Sequence, residues 1–295
     1  MSGDLGTIIT AMVTPFDGDL AVDHERLAGL ADELLAGGSD GLVVAGTTGE
    51  SPTLDDAEKL AMFRTVVQAV GGRGTVIAGT GSNDTRHSVE LTRRAEATGV
   101  DALLVVVPYY NKPPERGLLA HFRAVAAASS LPVIVYNIPG RCVVNLSPEA
   151  LAQLSGTDNI VAVKQADPDL SQTERLRELC DLGVYAGNDD MLLDVLKLGG
   201  WGGICVASHV AGPQMAAVAA RYAAGDTAGA EALDKRLRVL YKALFVTANP
   251  IPVKAALELL GRGVGACRLP LVAADRNERD VVAAALRELG LLAPQ

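Results

Sequence analysis

Short apolar runs recur along the chain, and stretches with helical spacing of apolar residues separate them. Each run has the length of a buried strand and is followed by a turn or by polar residues. Eight strands are predicted, at Thr7–Val13, Gly41–Ala45, Thr75–Gly79, Ala102–Val107, Val133–Tyr136, Ile160–Lys164, Val184–Gly187 and Gly203–Val206. Each intervening segment is long enough for one helix, so the pattern is a repeated unit of strand and helix.

The segments between the strands carry the signals of helix starts and ends. Apolar residues at helical spacing run from Leu27 to Leu35, and Gly37 follows as a terminator. Ser147 precedes Pro148, which is the order of an N-cap and a first helical residue. We therefore expect an α/β protein with a (β/α)8 TIM barrel. The alternative is an open doubly wound sheet, which is disfavoured because no GxGxxG fingerprint follows the first strand.

The strand signal stops at about residue 225, and only helical patterns follow. We expect three helices there, at Thr227–Val246, Ile251–Leu260 and Arg276–Leu289. The sequence thus predicts a catalytic barrel at residues 1–225 and a C-terminal bundle, a three-helix extension, at residues 226–295.

Composition and charge restrict the classes of function. The chain of 295 residues is 49% hydrophobic and only 4% aromatic, as expected of a core of small branched side chains. Its net charge is −9 and no basic stripe occurs, so nucleic acid is not an expected partner. No apolar run approaches the roughly 20 residues of a membrane span, and the N-terminus lacks a signal-peptide pattern. We expect a cytoplasmic protein with no membrane partner.

Cysteine and histidine positions do not indicate a metal site. The chain has four of each, scattered without the spacings that metal sites use. A core of this size does not depend on disulfides. We expect reduced thiols and no metal.

Reactive side chains are concentrated where the predicted strands end. In a barrel of this class the catalytic residues lie at the carboxyl ends of the strands. Among all the lysines, only Lys164 ends a buried strand, and Tyr136 ends the strand before it. Thr47, Tyr110 and Arg141 follow the ends of other strands. These side chains are expected to converge on one pocket.

Lys164 is the candidate nucleophile. A buried lysine that has lost its proton attacks a carbonyl carbon and forms a Schiff base. The protonated imine withdraws electrons, so the adjacent carbon of a keto acid loses a proton and becomes an enamine. Tyrosine and threonine hydroxyls can carry the protons, and the fork of Arg141 suits a carboxylate. The alternatives are a lysine that pairs with an acid or extends to the rim, and tyrosines that only pack.

Five motifs resemble the dihydrodipicolinate synthase family, within the Schiff-base pyruvate aldolase (N-acetylneuraminate lyase) superfamily. They are GTTGES (46–51), PYYNKP (108–113), YNIPGR (136–141), the VK at Lys164 and NPIPVK (249–254). The resemblance runs essentially end to end. It implies a lyase that condenses pyruvate with L-aspartate 4-semialdehyde to 4-hydroxy-tetrahydrodipicolinate, in the diaminopimelate and lysine pathway. It also implies that no organic cofactor is needed.

The resemblance implies a role for each residue at the centre of the site. Lys164 would form the imine with pyruvate, and Tyr136 would act as the general acid and base. Thr47 and Tyr110 would complete a proton relay. In this family the tyrosine at the position of Tyr110 reaches into the site of a neighbouring subunit. A homo-oligomer is therefore implied, usually a tetramer built as a dimer of dimers.

The substrate contacts are implied in the same way. Thr48 would hold the pyruvate carboxylate, and Arg141 would anchor the carboxylate of the semialdehyde. Gly187 and Ile204 match positions that line the pocket in this family.

Two positions depart from the family pattern. The residue after the lysine is usually acidic and is Gln165 here, and a strand ending that is usually GDD has Asn188 at its centre. Each change removes a negative charge, and we expect both near the pocket. They leave open a more anionic second substrate or a retuned Lys164.

The effector pocket implied by the resemblance is also altered. Lysine-sensitive members pair a histidine with a glutamate, and the matching residues here are Lys59 and His87. Ser51, Asn83 and Tyr109 still match. An ammonium at 59 without a carboxylate at 87 would repel a cationic effector. We predict weak or absent inhibition by lysine.

Two other functions remain open from the sequence. The first is another class I pyruvate-dependent aldolase or lyase, acting on a 2-keto-3-deoxy sugar acid or N-acetylneuraminate. Arg141 argues against it, because sugar-acid lyases lack that arginine. The second is a barrel that binds keto acids without turnover. The full set of proton-transfer residues argues against this, since binding alone needs no relay.

Overall fold

A closed barrel of eight parallel strands in chain order forms the centre of the computed structural model, which describes residues 5–293. The strands are β1 Ile8–Ala11, β2 Gly41–Val44, β3 Thr75–Gly79, β4 Ala102–Val106, β5 Val133–Asn137, β6 Ile160–Gln165, β7 Gly183–Ala186 and β8 Gly202–Cys205. Strand β1 pairs with both β2 and β8, which closes the barrel. The predicted (β/α)8 barrel is confirmed, and every predicted strand boundary lies within two residues of the observed one.

Helices surround the barrel and extend beyond it. They are α1 His24–Ala36, α2 Asp56–Val70, α3 Thr85–Glu96, α4 Glu115–Ala126, α5 Pro139–Cys142, α6 Pro148–Leu154, α7 Leu170–Leu179, α8 Leu192–Lys197, α9 Ser208–Ala223, α10 Thr227–Ala243, α11 Ile251–Leu259 and α12 Arg276–Glu288. Ser147 caps α6 as predicted, with its side chain accepting a hydrogen bond from the Ala150 N–H. The four-residue helix α5, which follows β5 directly, was not predicted.

The three C-terminal helices pack against the barrel and against one another. Helix α10 contacts α9, and α11 and α12 contact each other. Leu240, Val253 and Leu286 belong to the same apolar core as the layer between the strands and their helices. Among residues 5–293, no helix combines the length and the apolar character needed to cross a membrane.

A second apolar cluster fills the inside of the barrel. It contains Ile9, Ile77, Ile134, Tyr185 and Ile204, which point inward from alternate positions on their strands. Because side chains alternate along a strand, each strand end presents one residue to the barrel interior and the next to the helices. This alternation decides which strand-end residues reach the site.

Candidate active site

Lys164 and Tyr136 lie side by side at the carboxyl end of the barrel. They are register partners on β6 and β5, and the Lys164 Nζ atom lies 4.3 Å from the centroid of the Tyr136 ring. Each residue is only 5% exposed. Tyr185 is the register partner of Lys164 on the other side, on β7. The amine therefore lies against an aromatic ring and away from bulk water, which does not fit a lysine that extends to the rim.

A cavity of about 220 Å³ opens at the same end of the barrel, with Tyr136 in its wall. Thr47 and Arg141 also line it. The full lining is Ala45, Gly46, Thr47, Ser51, Pro52, Gly79, Gly81, Leu104, Val106, Tyr109, Tyr136, Ile138, Arg141 and Cys142. The fold thus brings together side chains that follow the ends of two separate strands, β2 and β5.

The loop of residues 46–50, which carries Thr47 and Thr48, is held in an unusual backbone conformation. Ala45, just before the loop, and Glu50, its last residue, have positive φ angles of 54° and 58°. Gly79 approaches closely, since a Cβ there would lie 2.4 Å from the Ala45 carbonyl oxygen. The Thr14 hydroxyl donates to the Gly49 carbonyl at 2.6 Å. These contacts fix the path of the loop.

Arg141 lies at the mouth of the cavity because α5 begins directly after β5. Pro139 stands in the first turn of α5, and Val143 ends the helix in the left-handed conformation. The neighbouring Cys142 is buried, and its thiol donates to the Val107 carbonyl at 3.3 Å. Burial raises the pKa of the Cys142 thiol to about 11, although the Arg141 charge acts in the opposite direction. The Cys142 thiol beside Arg141 is therefore neutral. The Arg141 side chain itself is exposed.

Tyr110 is not brought to Thr47 and Tyr136 within one chain. It is 89% exposed, with a φ of 73°. The adjacent Tyr109 does line the cavity, and burial raises its pKa. The strained turn therefore sends one tyrosine into the cavity wall and the other outward.

Gly187 and Ile204, like Lys164 itself, are not in the cavity wall. The Gly187 N–H donates to the Gln165 carbonyl at 2.7 Å, and a Cβ on Gly187 would lie 2.6 Å from the Ala166 Cβ. Ile204 is fully buried inside the barrel. Glycine is required at 187 for this close packing, and a substrate-contact role for either residue stays a prediction.

The two departures from the family pattern are not in the wall of this cavity, and their effect on the charge of the site stays a prediction. The Gln165 Oε1 atom accepts from Asn137 Nδ2 at 2.9 Å, and Asn137 Nδ2 also donates to Asn145 Oδ1 at 2.6 Å. Gln165 follows Lys164 on β6 and so faces the helices. Asn188 lines a separate cavity with Tyr241 and Phe245 among its neighbours.

Asp189 is a buried acid that the sequence reasoning did not assign. Its two carboxylate oxygens accept from the N–H groups of Val206 and Ala207, each at 2.8 Å. Burial raises the pKa of Asp189, and these N–H groups and the charge of Lys164 oppose that shift. The acid ties the end of β7 to the segment after β8. An acidic residue shortly after a predicted strand end was the sequence signal that could have identified Asp189.

Of the implied effector residues, Ser51 and Tyr109 line the cavity. Asn83 is joined to the segment that carries Tyr109, because its carbonyl accepts from Asn111 Nδ2 at 2.8 Å. These three positions therefore remain together in the structure.

The two altered effector positions, Lys59 and His87, lie close to an acid, Asp56, that the sequence did not lead us to expect there. The His87 Nε2 atom lies 2.9 Å from Asp56 Oδ1, and Arg94 Nη1 lies 3.3 Å from Asp56 Oδ2. Lys59 is 7% exposed, and burial lowers its pKa while Asp56 and other nearby acids oppose the shift. The carboxylate at this place is thus already paired with two basic side chains.

Metal ligands are not assembled in the described part of the chain. Among residues 5–293 no group of three or more His, Cys, Asp or Glu side chains could hold a metal ion. Cys142, Cys180, Cys205 and Cys267 are free thiols there.

Two residues at the start of α11 contact the loop of residues 46–50, and the sequence did not indicate a role for either. Asn249 Nδ2 donates to the Thr48 hydroxyl at 2.9 Å. Lys254 Nζ lies 2.6 Å from Glu50 Oε1. Both belong to the NPIPVK motif, but the sequence gives no sign of what they contact, because about 200 residues separate the partners.

Comparison with known proteins identifies the family of the chain. The model of the dihydrodipicolinate synthetase family matches residues 4–289. The 4-hydroxy-tetrahydrodipicolinate synthase of Moorella thermoacetica is 53% identical over 289 residues, which are 97% of this chain and 99% of that protein. The structure of DHDPS from Cyanidioschyzon merolae with lysine bound matches with a TM-score of 0.96 and 44% identity, over 98% of this chain and 99% of that one. A dihydrodipicolinate synthase variant described as the first monomeric one matches with a TM-score of 0.94 and 40% identity, over 97% of each chain. The chain therefore belongs to the dihydrodipicolinate synthetase family.

Proposed function

We propose that this chain is a 4-hydroxy-tetrahydrodipicolinate synthase, which condenses pyruvate with L-aspartate 4-semialdehyde. The observation that carries the proposal is the buried Lys164 amine beside Tyr136, at the catalytic end of the barrel. Arg141 at the cavity mouth supplies an exposed guanidinium for a second carboxylate. The names of the curated relatives support the same reaction.

The chemistry begins with covalent attachment of pyruvate. The neutral amine of Lys164 attacks the keto carbon, and loss of water leaves a protonated imine. Removal of a methyl proton then gives an enamine, with the electron pair held by the iminium. Tyr136 is the group placed to move these protons, because its ring lies against the amine.

The second half of the reaction joins the two substrates and releases the enzyme. The enamine carbon attacks the aldehyde carbon of the semialdehyde, whose oxygen takes a proton and becomes a hydroxyl. The amino group of the semialdehyde then attacks the imine carbon, which closes the ring and frees the Lys164 amine. In this scheme Thr48 holds the pyruvate carboxylate, and Arg141 holds that of the semialdehyde.

Trapping the imine tests the nucleophile directly. We expect borohydride with pyruvate to reduce the imine and add the mass of a reduced pyruvyl group to Lys164, read by peptide mass spectrometry. The Lys164→Met variant should show no adduct and no turnover. Lys254, which is equally buried at 5% exposure, is the internal control, and an adduct there or at another lysine would contradict the proposal.

Acceptor specificity separates the synthase from a sugar-acid aldolase. Pyruvate consumption is measured with aspartate semialdehyde and, in parallel, with N-acetylmannosamine or a sugar aldehyde. Fast turnover only with the semialdehyde is the expected result. Turnover only with a sugar acceptor would keep Lys164 as the nucleophile and overturn the assigned substrate.

We also propose a homo-oligomer, a tetramer built as a dimer of dimers, in which Tyr110 completes the relay of a neighbouring subunit. Its 89% exposure supports this, because a large aromatic side chain at a strained turn has no packing role in its own chain. Mixing inactive Lys164→Met chains with Tyr110→Phe chains tests it. Recovery of activity is expected, because each hybrid dimer holds one site with both residues. No recovery from exchanged subunits would argue that Tyr110 does not act across an interface.

A cytoplasmic location is part of the same proposal. The free state of Cys142, Cys180, Cys205 and Cys267 supports a reducing compartment. Fractionation with a marker enzyme would test it.

A further inference from the structure

The loop that carries Thr48 is held from the C-terminal helices by a buried side-chain hydrogen bond. Asn249, two residues before α11, donates from Nδ2 to Thr48 Oγ1 at 2.9 Å. Thr48 is 3% exposed and Asn249 is 7% exposed. A contact this far from water is geometrically well defined and is expensive to leave unmade.

The direction of this bond decides what the Thr48 hydroxyl can do. A threonine hydroxyl has one proton and two acceptor lone pairs. Because one lone pair accepts from Asn249, the proton is left to donate elsewhere. A carboxylate can only accept, so the direction set by Asn249 is the one that binding a carboxylate requires.

The oxygen of the Asn249 side-chain amide gives a second reason to assign Asn249 a role as donor to Thr48. Asn249 Oδ1 is buried and accepts no hydrogen bond from any residue in the range 5–293. A buried carbonyl oxygen without a partner costs about 1–3 kcal/mol. Such a cost in a folded protein calls for a functional reason, and the donation to Thr48 supplies one.

A buried ion pair holds the same helix against the same loop. Glu50 is 1% exposed and Lys254 is 5% exposed, and their charged atoms lie 2.6 Å apart. The other Glu50 oxygen accepts from the Arg268 N–H at 2.9 Å. Because desolvation offsets most of the attraction in a buried pair, its main effect is to fix position. The start of α11 is thus set relative to Thr48.

We propose, on the basis of the function proposed above, that Asn249 is a positioning residue that orients the Thr48 hydroxyl as a donor to the keto-acid carboxylate. The C-terminal helices then take part in the site, since they hold the side chain that sets this polarity. The expected consequence is selective: loss of the Asn249 donor weakens pyruvate binding and leaves the semialdehyde contact at Arg141 unchanged.

The decisive variant is Asn249→Asp, which replaces a donor with an acceptor of the same shape. The carboxylate would draw the Thr48 proton toward itself and face the substrate anion. We expect the KM for pyruvate to rise by about 10- to 100-fold, the range for lost hydrogen bonds to charged groups. The KM for the semialdehyde should stay within about twofold. Asn249→Ala, which adds no charge, should raise the KM for pyruvate by less.

Two controls separate positioning from general damage. Asn159 lies just before β6, at the opposite end of the barrel, and its Nδ2 donates to the carbonyls of Ala126, Ser129 and Leu131. Asn159→Asp should lower the melting temperature without changing the KM for pyruvate. In a Thr48→Val background, Asn249→Ala should raise that KM no further, because it adds no charge and the hydroxyl that Asn249 acts through is gone.

The outcomes distinguish this inference from the proposed function. An unchanged KM for pyruvate in Asn249→Asp, or an equal increase caused by Asn249→Ala with and without the Thr48 hydroxyl, would overturn the role of Asn249 alone. Absence of any pyruvate adduct at Lys164 in the unaltered protein would overturn the proposed function and this inference with it.

Discussion

The Lys164 amine and the Tyr136 ring are held together by strand register. The two residues are direct partners across β5 and β6, and the amine nitrogen lies 4.3 Å from the ring centroid. Neither side chain has to be drawn from a mobile loop to meet the other. The proposed nucleophile and its proposed proton carrier are therefore fixed by the sheet itself, which is the rigid part of the fold.

Removal of the Tyr136 hydroxyl should slow turnover without unfolding the protein. In Tyr136→Phe the ring stays against Lys164, but proton transfer is lost. We expect kcat to fall by about 10²- to 10⁴-fold, the usual contribution of a general acid and base, with an unchanged melting temperature.

Tyr185→Phe is the matched control for that variant. Tyr185 flanks Lys164 on the other side, and its hydroxyl donates to the Gly6 carbonyl at 2.9 Å. This variant should lose stability, by about 1 kcal/mol, and keep kcat. Equal losses of kcat in both variants would contradict the role of Tyr136.

Arg141→Ala should weaken the second substrate selectively. An exposed guanidinium that binds a carboxylate contributes through charge-assisted hydrogen bonds, so we expect the KM for the semialdehyde to rise by about 10- to 100-fold. Steady-state kinetics with each substrate varied in turn measures it. Arg175→Ala, which removes an exposed arginine paired with Glu149 and Glu178, should change neither KM. A rise only in the KM for pyruvate would reassign Arg141.

Gln165→Glu should leave both KM values within about twofold. The Gln165 side chain faces Asn137 and lies outside the cavity, and a carboxylate at 165 can accept the same hydrogen bond. The same steady-state kinetics checks this, with Arg141→Ala as the positive control, whose KM for the semialdehyde is expected to rise. A large change in the KM for the semialdehyde would mean that the charge at 165 does reach the second substrate.

Free lysine should inhibit weakly or not at all. The carboxylate of Asp56 is already paired with His87 and Arg94, and Lys59 adds a cationic side chain. Initial rates across a lysine titration measure the effect. The double variant Lys59→His with His87→Glu should gain inhibition. Complete loss of activity of the unaltered protein in sub-millimolar lysine would refute the prediction.

Stability should fall as the pH drops from about 6.5 to about 4, in part because of His209. This residue is 2% exposed, accepts from the Val13 N–H at 3.1 Å, and burial lowers its pKa to about 4. Because the unfolded chain binds the proton first, the stabilisation is complete above the unfolded pKa of about 6.5 and is lost toward pH 4. The full effect is about 3 kcal/mol.

Denaturant unfolding at pH 5 and pH 7 measures this contribution. His209→Gln should reduce the difference in free energy of unfolding between the two pH values. His24→Gln alters an exposed histidine whose Nδ1 bonds Thr65, and should leave that difference as it is. An unchanged difference in His209→Gln would show that other groups cause the pH dependence.

Local patterns in the sequence determined the barrel and half of its site. Apolar runs at regular intervals can be buried only as a parallel sheet wrapped in helices, and the rule that chemistry lies at carboxyl strand ends then selected Lys164 and Tyr136. Both are set by neighbours along the chain and by strand order, so one sequence suffices to place them.

Tertiary structure alone decided the surroundings of those two residues. The side to which Gln165 points depends on where β6 enters the barrel, and its amide oxygen accepts from Asn137 on a different strand. Asn249 reaches Thr48 from 201 positions away. No periodicity or spacing encodes such a contact, because it exists only after the C-terminal helices have packed on the barrel. The sequence therefore determined the residues proposed to react, and packing decided which side chains contact them and their neighbours.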